Sequence, residues 1–587
     1  MLTTRTTLLF AFLATAFCFS FSPHANGQAW RIPLGWQALS DELGDSLADG
    51  TGIDVCQVEA IQDLTGGYRP AFGSGEFLNP DKVFTNISNV NDIGSTHART
   101  VGQYFYGNSM SMVPDVINVS IYEAEHFLVS ALGFSTNSEP ELQPFAVQNH
   151  SWIADSGISD GIAQNLLMRL DYVINRDNIL VAAGTTNSGV TPRLLASGFN
   201  SITVGRTSGT HGVGATTFYS SGRVKPEIVT PAPTTSRATP IVSGAAVLLR
   251  DAGAGTNAVN TEATKALILA GATKTEFPGW SRTSAIPLDT TFGVGELNVY
   301  NSYKMLLAGE TDGQTSPPST PAGDSGWDFG TVNPAQTMNY LIELTEPADH
   351  LSIALTWNIE IEDTNSSPDI FVPDNTLANL DLIVAGNGLS DISNSFNHNI
   401  EHVYLTDVPA GTYSVIVTSD RTADFGLAWR AATKNEAGVS DLNLVTGVNS
   451  GGGLAAVAAS DDSYYEVLPG AKSASSKIGS VLEFETTSPV NMPNAIEFNL
   501  ESRVNTPNVD QVVELFNFVD GEYVEFESSA APFADTETSV AVSGELIDFV
   551  EPGTGLIRAR VTWVPTGPVL QFPWTARVDQ ASFTVSQ

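Results

Sequence analysis

Two patterns of apolar residues divide the chain into a mixed part and an all-β part. From residue 50 to about 308, short apolar runs such as 53–60 and 178–184 alternate with segments of helical spacing, such as 163–177 and 261–272. Runs of the first kind are typical of buried strands, and segments of the second kind are typical of helices with one buried face. Their alternation predicts a parallel sheet covered by helices.

After residue 326 the apolar residues follow a two-residue period. LSIALTW at 351–357 and AIEFNLESRV at 495–504 place every second side chain on one face, and the PAG turn at 409–411 joins two similar runs. The Asp520-Gly521 pair between two further runs is a strong hairpin signal. This pattern predicts antiparallel β-sandwiches.

A change of composition marks the boundary between the two parts. Residues 309–326, GETDGQTSPPSTPAGDSG, are rich in Pro, Gly, Ser and Thr and are predicted to form a linker. We therefore expect a multidomain protein, with an α/β parallel-sheet domain at 28–308, a first β-sandwich at 327–437 and a second at 438–587.

The N-terminus has the pattern of a secretory signal peptide covering residues 1–27. One Arg precedes an apolar run from Leu8 to Phe21, and Ala25 and Gly27 supply small residues for cleavage. The alternative is a membrane anchor, which the shortness of the run disfavours. We therefore expect a secreted protein, extracellular or at the cell surface.

The net charge limits the partners that the protein can bind, and the cysteine content limits how its fold can be stabilised. The chain has 64 acidic and 26 basic residues, a formal charge of −38, so electrostatic repulsion excludes nucleic acid and anionic membranes as partners. Removal of the signal peptide takes away Cys18 and leaves Cys56 alone. The apolar cores are therefore expected to hold the fold without disulfides.

The segment TTSRATPIVSGAAVLL at 234–249 places Ser236 just before an apolar helical pattern. We expect this helix to begin at about Arg237, with Pro240 in its first turn, where a missing N–H costs little. Ser236 is then either an N-cap or a nucleophile, and the two roles are compatible because a helix N-terminus favours negative charge. A serine nucleophile also needs an imidazole base, a carboxylate that orients it, and donors for the oxyanion.

The longer segment VKPEIVTPAPTTSRATPIVSGAAVLL at 224–249 resembles the nucleophile region of the subtilisin-like serine proteases. Thr234 departs from that family's glycine, whereas the following positions match it: Thr235, Ser236, Ala238, Thr239 and Pro240. The resemblance covers roughly residues 50–305. It implies a subtilisin-like fold and a secreted serine endopeptidase that acts on polypeptides through an acyl-enzyme, with Ser236 as nucleophile.

Two upstream segments fit the same resemblance in the expected order. GTGIDVCQVE at 50–59 places Glu59 where the family has its aspartate; Asp63 is the alternative, and Asp54 lies too early in the strand. GSTHARTVGQYFYG at 94–107 places His97 as the general base. His211 is a rival for the base, and it is more simply interpreted as a loop residue.

The resemblance also implies a substrate cleft and an oxyanion site. FAVQNHSWIADSG at 145–157 matches an edge strand that takes a peptide as an added strand, with Asn149, Ser151 and Trp152 beside the cleft. In AAGTTNSG at 182–189, Thr185 replaces the family's oxyanion-binding asparagine, and Asn187 is a second candidate donor. Loss of one such donor costs about 3–4 kcal/mol of transition-state stabilisation.

Two alternatives to the endopeptidase stay open. One is a catalytically impaired pseudoprotease that acts as an extracellular binding or adhesion protein. It is favoured by Glu59, by Thr185 and by an N-terminal extension of only about twenty residues before the first strand. The other is a hydrolase of small esters at the same site.

The remaining expectations concern ions and the rear units. No His/Cys cluster has zinc spacing, no cofactor is required, and the resemblance allows Ca²⁺ as a structural ion without defining its ligands. The two sandwiches are expected to be accessory modules, with a cell surface or a polysaccharide as their possible partner. Their tryptophans are core residues in the preferred interpretation and sugar-stacking residues in the other: Trp327, Trp357, Trp429, Trp563 and Trp574.

Overall fold

The fold is described from a computed structural model of the chain. It describes residues 29–586 except 63–65, 74, 80, 89–92, 155–157, 215–221, 367, 374–376, 471–478, 543–545 and 570–572. The predicted signal peptide and the alternative acid Asp63 lie outside the described residues.

A seven-stranded, all-parallel sheet forms the centre of the first domain, as the alternation of strands and helices predicts. Its order is β3-β5-β1-β6-β7-β8-β9, and a short pair, β2-β4, lies beside it. The strands are β1 (Val55–Glu59), β2 (Arg69–Pro70), β3 (Val83–Asn86), β4 (Gly94–Ser95), β5 (Asn118–Glu123), β6 (Val147–His150), β7 (Leu180–Gly184), β8 (Ile202–Arg206) and β9 (Ile228–Thr230).

Seven helices accompany the sheet among the described residues. They are α1 (Trp36–Leu43), α2 (Thr96–Tyr106), the single turn α3 (Ala124–His126), α4 (Asp160–Asp177), α5 (Thr235–Ala252), α6 (Thr261–Ala270) and α7 (Val299–Ala308). Helix α5 is buried along nearly its whole length because its small residues, Gly244, Ala245 and Ala246, let it pack closely against α2, β7 and β8. In its first turn, Ser236 and Arg237 are half-buried.

The rest of the chain forms two antiparallel β-sandwiches, which confirms the predicted fold class. The first contains β10 (Ser325–Val332), β11 (Thr337–Leu344), β12 (Ala348–Thr356), β13 (Ile361–Ser366), β14 (Asp369–Pro373), β15 (Leu380–Gly386), β16 (Leu389–Ser393), β17 (Ile400–Val408), β18 (Gly411–Ser419) and β19 (Ala423–Gly438). The second contains β20 (Asp441–Thr446), β21 (Val448–Gly451), β22 (Tyr465–Leu468), β23 (Ser480–Thr487), β24 (Ala495–Val504), β25 (Val509–Asn517), β26 (Glu522–Ala530), β27 (Thr536–Ala541), β28 (Leu556–Pro565) and β29 (Ala576–Ser586).

Strand β19 joins the two sandwiches. Its first half pairs with β10 and β12, and its last residues, Lys434–Gly438, pair with β29 of the second sandwich. The opposing sheets are β11-β18-β15-β16 in the first sandwich and β20-β23-β28-β25-β26 in the second. Because one strand belongs to both units, the two sandwiches share a single continuous sheet.

The first sandwich is packed tightly on the α/β domain. Trp327, Ala354 and Ala428 belong to the same apolar cluster as α5 and α6, and the β13-β14 hairpin packs against α4. The five tryptophans considered for sugar stacking are all buried, which confirms the core interpretation. Within the described part of the chain, no helix is both long and apolar enough to cross a bilayer.

Gly426 of β19 allows the closest approach between the sandwich and α6. A Cβ at this position would overlap the backbone of Glu262, whereas a Cβ at Gly438 on the same strand would meet nothing within 4 Å. We expect Gly426→Ala to destabilise the protein by about 1–3 kcal/mol because it overpacks this contact. Gly438→Ala is the matched control. A lower urea midpoint for Gly426→Ala alone would support the tight interface, and equal midpoints would contradict it.

Candidate active site

The carboxyl ends of the parallel strands bring most of the predicted site residues to one edge of the sheet. Glu59 is the last residue of β1, and Ser151 and Thr185 directly follow β6 and β7, which lie next to β1 in that order. Helix α5 begins five residues after β9 ends at the same edge. In open parallel sheets this edge is where ligands bind.

Glu59, which is buried, forms a hydrogen bond with the half-buried His97. His97 Nδ1 lies 2.8 Å from Glu59 Oε2, and the Glu59 side chain is 1% exposed. The second carboxylate oxygen, Oε1, accepts from Gln57 Nε2 at 2.9 Å. Gln57 lies two residues before Glu59, on the same face of β1. Both oxygens of the acid are therefore held in place.

The orientation of His97 follows from these contacts. Since the carboxylate can only accept, Nδ1 carries the proton and Nε2 is left as the acceptor, which is the tautomer that a general base needs. The backbone N–H of His97 donates to Gln62 Oε1 at 3.1 Å, and the hydroxyl of Ser95 donates to the same oxygen at 2.8 Å. Ser95 also caps α2 by accepting from Ala98 N. The N-terminus of α2 is thereby attached to the segment that follows β1.

The hydrogen bond to Glu59 raises the pKa of His97 above its usual value, although burial and the Arg237 guanidinium act in the opposite direction. Arg237 directly follows Ser236, and α5 packs against α2. The half-buried Ser236 therefore lies on a helix in contact with the helix of His97. Among the described contacts, no hydrogen bond joins the Ser236 hydroxyl to His97 Nε2.

Helix α5 begins two residues earlier than the sequence pattern predicts. Thr234 is the N-cap residue and Ser236 is the second helical residue, so the interpretation of Ser236 as N-cap is wrong. Pro240 falls in the second turn and not in the first, because the helix starts at Thr235. The missing Pro240 N–H leaves the Ser236 carbonyl without its usual helical donor.

Asn187 and Thr185 differ in what their side chains can donate. The Thr185 hydroxyl is buried and donates to the Gly212 carbonyl at 3.1 Å. Asn187 is exposed, and its Oδ1 accepts from the Thr235 backbone N–H at 3.0 Å, at the start of α5. Its Nδ2 is then held beside the residue that precedes Ser236, with no hydrogen bond to it among the described residues. Of the two side chains, only that of Asn187 has an N–H donor without a hydrogen bond among the described residues.

Three residues that position this site are absent from the sequence-based candidates. Gln57 and Gln62 hold Glu59 and the N-terminus of α2, as described above. Arg206 Nη1 donates to the Pro233 carbonyl at 2.6 Å and Nη2 donates to the Asn187 carbonyl at 3.2 Å, so it joins the Asn187 loop to the segment before α5. The sequence contains a signal for two of the three: Gln57 lies on the same face of its strand as Glu59, and Arg206 ends a buried strand.

The predicted edge strand is wrong for residues 147–150. Strand β6 pairs with β1 on one side and β7 on the other, so it lies inside the sheet and offers no free edge. Asn149 bridges Ser151 and the helix residue Ser243 through hydrogen bonds of 3.0 Å each. Asn149, Ser151 and Trp152 are all buried.

His211 has a structural role. Its Nδ1 accepts from the Arg206 backbone N–H at 3.0 Å, and its Nε2 lies 2.8 Å from the Thr291 carbonyl. Burial lowers the pKa of His211, which keeps the ring neutral. This agrees with its interpretation as a loop residue.

One acidic cluster in the described chain has the spacing of a metal site. Glu310, Asp312 and Asp328 each place an oxygen within 4.8 Å of the others. Asp328 Oδ2 already accepts from the Tyr340 hydroxyl at 2.6 Å and from Gly313 N at 3.0 Å, and burial raises the pKa of Asp328. These hydrogen bonds satisfy the Asp328 carboxylate without a bound ion, so we assign no calcium site there.

No family model matches the chain, and no curated protein matches it. Solved structures similar to it include tripeptidyl peptidase 2, at 10% identity over 84% of this chain and 53% of that one, with a TM-score of 0.26. Pseudomonas sedolisin, a serine-carboxyl proteinase, aligns at 14% identity over 47% of this chain and 97% of that one, with a TM-score of 0.31. A tandem CBM22 domain from Paenibacillus barcinonensis Xyn10C aligns at 10% identity over 44% of this chain and 85% of that one, with a TM-score of 0.14.

The chain thus spans about half the length of tripeptidyl peptidase 2. TM-scores below 0.5 assign no activity, so the case for catalysis comes from the geometry of the site itself.

The buried carboxylate of Glu59 should control the titration of His97. Glu59→Gln removes the negative charge that favours the imidazolium, so we expect the pKa of His97 to fall. Glu139→Gln, which removes an exposed carboxylate elsewhere, is the control and should leave the titration of His97 unchanged. NMR titration of histidine-labelled protein measures both shifts. An unchanged His97 pKa in Glu59→Gln would contradict the assigned hydrogen bond.

Proposed function

We propose that the chain is a secreted serine endopeptidase that hydrolyses polypeptides through Ser236, His97 and Glu59. The observation that supports this most strongly is the 2.8 Å hydrogen bond between buried Glu59 and His97, on a helix packed against the helix of Ser236. A carboxylate hydrogen-bonded to an imidazole on one helix, packed against a second helix with a serine in its first turn, supplies the groups that acyl transfer uses.

In this mechanism His97 Nε2 takes the proton of the Ser236 hydroxyl as Oγ attacks the peptide carbonyl carbon. The Glu59 carboxylate stabilises the imidazolium that forms and keeps the ring in the required tautomer. His97 then gives the proton to the leaving amine, and the acyl-enzyme results. Water, deprotonated by His97, attacks the acyl carbon; the bond to Ser236 Oγ breaks as His97 returns the proton to Oγ, and the acid leaves.

The oxyanion of the tetrahedral intermediate needs two donors. The Ser236 backbone N–H lies in the first turn of α5, where no earlier helical carbonyl is available to it. Asn187 Nδ2 is the proposed second donor, because the Asn187 Oδ1 bond to Thr235 N holds the amide at the helix start. Thr185 is not proposed as a donor because its hydroxyl already donates to the Gly212 carbonyl.

The location and the partners follow from the sequence and are part of the same proposal. We propose export by the N-terminal signal and an accessory role for the two sandwiches. Binding of a polysaccharide or a cell surface by these units stays a prediction, to which the buried tryptophans add no support.

One observation of the structure adds to the sequence features that favour the pseudoprotease alternative. No hydrogen bond joins Ser236 to His97 among the described residues, and such a bond is expected in a resting triad. Catalytic hydrogen bonds are often long without substrate, however, and tighten only in the reacting complex. The chemical reactivity of Ser236 therefore distinguishes the endopeptidase from the pseudoprotease.

A fluorophosphonate probe tests the nucleophile. We expect labelling of the wild type and of the control Ser208→Ala, and no labelling of Ser236→Ala or His97→Ala, whose turnover should fall by about 10⁴–10⁶-fold. Casein and a small nitrophenyl ester then distinguish a peptidase from an esterase. A wild type that stays unlabelled, although its melting curve shows that it is folded, would favour the pseudoprotease.

The two candidate oxyanion donors predict opposite kinetic results. Asn187→Ala should lower kcat by about 10²–10³-fold with little change in KM, because the lost bond forms only in the transition state. Thr185→Val should keep most of the activity. Steady-state kinetics on a peptide substrate measure both. A large loss in Thr185→Val with none in Asn187→Ala would reverse the assignment.

A further inference from the structure

A cavity of about 310 Å³ lies where the α/β domain and both sandwiches meet. Its aromatic and cationic walls come from the segment after α6 and from the first sandwich. The lining residues are Lys274, Thr275, Phe277, Trp280, Asp349, His350, Tyr404 and Asn494.

Lys274 is a buried cation in this cavity. Its ammonium lies 4.3 Å from the centre of the Tyr404 ring and 5.1 Å from that of Trp280. It donates one hydrogen bond, to the Ala272 carbonyl at 3.2 Å, although an ammonium has three donors. Burial and the neighbouring cations Arg430 and Arg282 lower the pKa of Lys274 to about 7.

The groups beside Lys274 add further unpaired donors. Arg430 is 5% exposed; its Nη1 lies 3.4 Å from His350 Nε2, and its Nη2 has no hydrogen-bond partner among the described residues. Asn494 Nδ2, at the cavity wall, is likewise buried without a described partner. Burial lowers the pKa of His350, so its ring is neutral and accepts from Arg430.

The acids near the cavity are occupied elsewhere. Asp349 pairs with Lys434 at 3.1 Å, and Arg282 pairs with Asp391. Asp324 acts on Arg430 only at a distance, without an ion pair within 4.0 Å. In a protein with a formal charge of −38, Lys274 and Arg430 therefore form a buried positive centre with no direct carboxylate partner among the described residues. A buried charge without a partner is costly.

We propose that this junction cavity binds a small organic carboxylate with a flat apolar body. The carboxylate accepts from Lys274 and from the donors beside it, and the body lies against the rings of Phe277, Trp280 and Tyr404. A cavity that combines aromatic side chains with a few polar donors is a usual form of such a site. A charge-assisted bond to a buried ammonium orients the ligand.

Binding takes up a proton when the pH lies above the pKa of free Lys274. The unliganded amine is largely neutral there, and the bound carboxylate favours its charged form. The titratable groups that also face the amine are Arg430, Arg282, His350, His402 and Tyr404, and Asp349 is paired with Lys434. Burial lowers the pKa of both arginines only to about 10, holds the pKa of both histidines well below its usual value and raises the pKa of Tyr404, so none of these five groups changes charge between pH 7 and pH 8. The affinity therefore falls as the pH rises above 7.

Titration calorimetry with benzoate tests the site. We expect saturable binding to the wild type and to Ser236→Ala, with uptake of close to one proton at pH 8, read from two buffers of different ionisation enthalpy. Lys274→Met should bind at least about 10-fold more weakly. Lys304→Met, which removes a surface lysine paired with Glu42, is the control and should bind normally. If the methionine variant is unstable, Lys274→Arg serves as the test instead; it keeps the charge and should retain binding.

Charge-altered probes separate a carboxylate site from a merely aromatic one. Benzyl alcohol and benzylamine should bind much more weakly than benzoate. Equal binding of all three, benzoate binding that survives Lys274→Met, or no benzoate binding at tens of millimolar would each overturn the proposal. The last result would leave Lys274 as a structural cation stabilised by two rings.

Discussion

The hydrogen bond between the buried Glu59 carboxylate and His97 is the interaction on which the candidate site depends. A carboxylate that is 1% exposed requires compensation, which Gln57 and His97 provide, one at each oxygen. The bond also fixes the imidazole tautomer and its elevated pKa. The central sheet and α2 place the two groups so that neither can turn away without leaving a buried polar atom unpaired. The same hydrogen bond therefore stabilises the domain and orients the proposed catalytic base.

The two sandwiches contribute to the rigidity of that domain. They share strand β19, and the first of them joins the apolar cluster of α5 and α6. The site therefore belongs to a body larger than the α/β domain alone. The junction cavity around Lys274 exists only because the three units meet, which makes it a property of the whole chain.

Periodicity predicted most of the fold because strands and helices here obey simple burial rules. Strand β24 spans Ala495–Val504, as its alternation predicts, and Asp520-Gly521 separates β25 from β26. The edge position of Asn149 was predicted wrongly because strand order depends on contacts far apart in the sequence. The start of α5 was misplaced by two residues because the Thr235 N–H is satisfied by the side chain of Asn187, a contact between residues far apart in the sequence. Glu59 and His97 were identified from family resemblance; Gln62 and Arg206 were missed because no motif marks a positioning residue.

A crystal structure of the protein after reaction with a phosphonate inhibitor would show whether Ser236, His97 and Glu59 act together. We expect a covalent bond to Ser236 Oγ, with His97 Nε2 within about 2.6–3.2 Å of the adduct's oxygens. We also expect Glu59 to hold His97 Nδ1 in the adduct. A protein that forms no adduct, or an adduct on Ser236 from which His97 has turned away, would contradict the proposed triad.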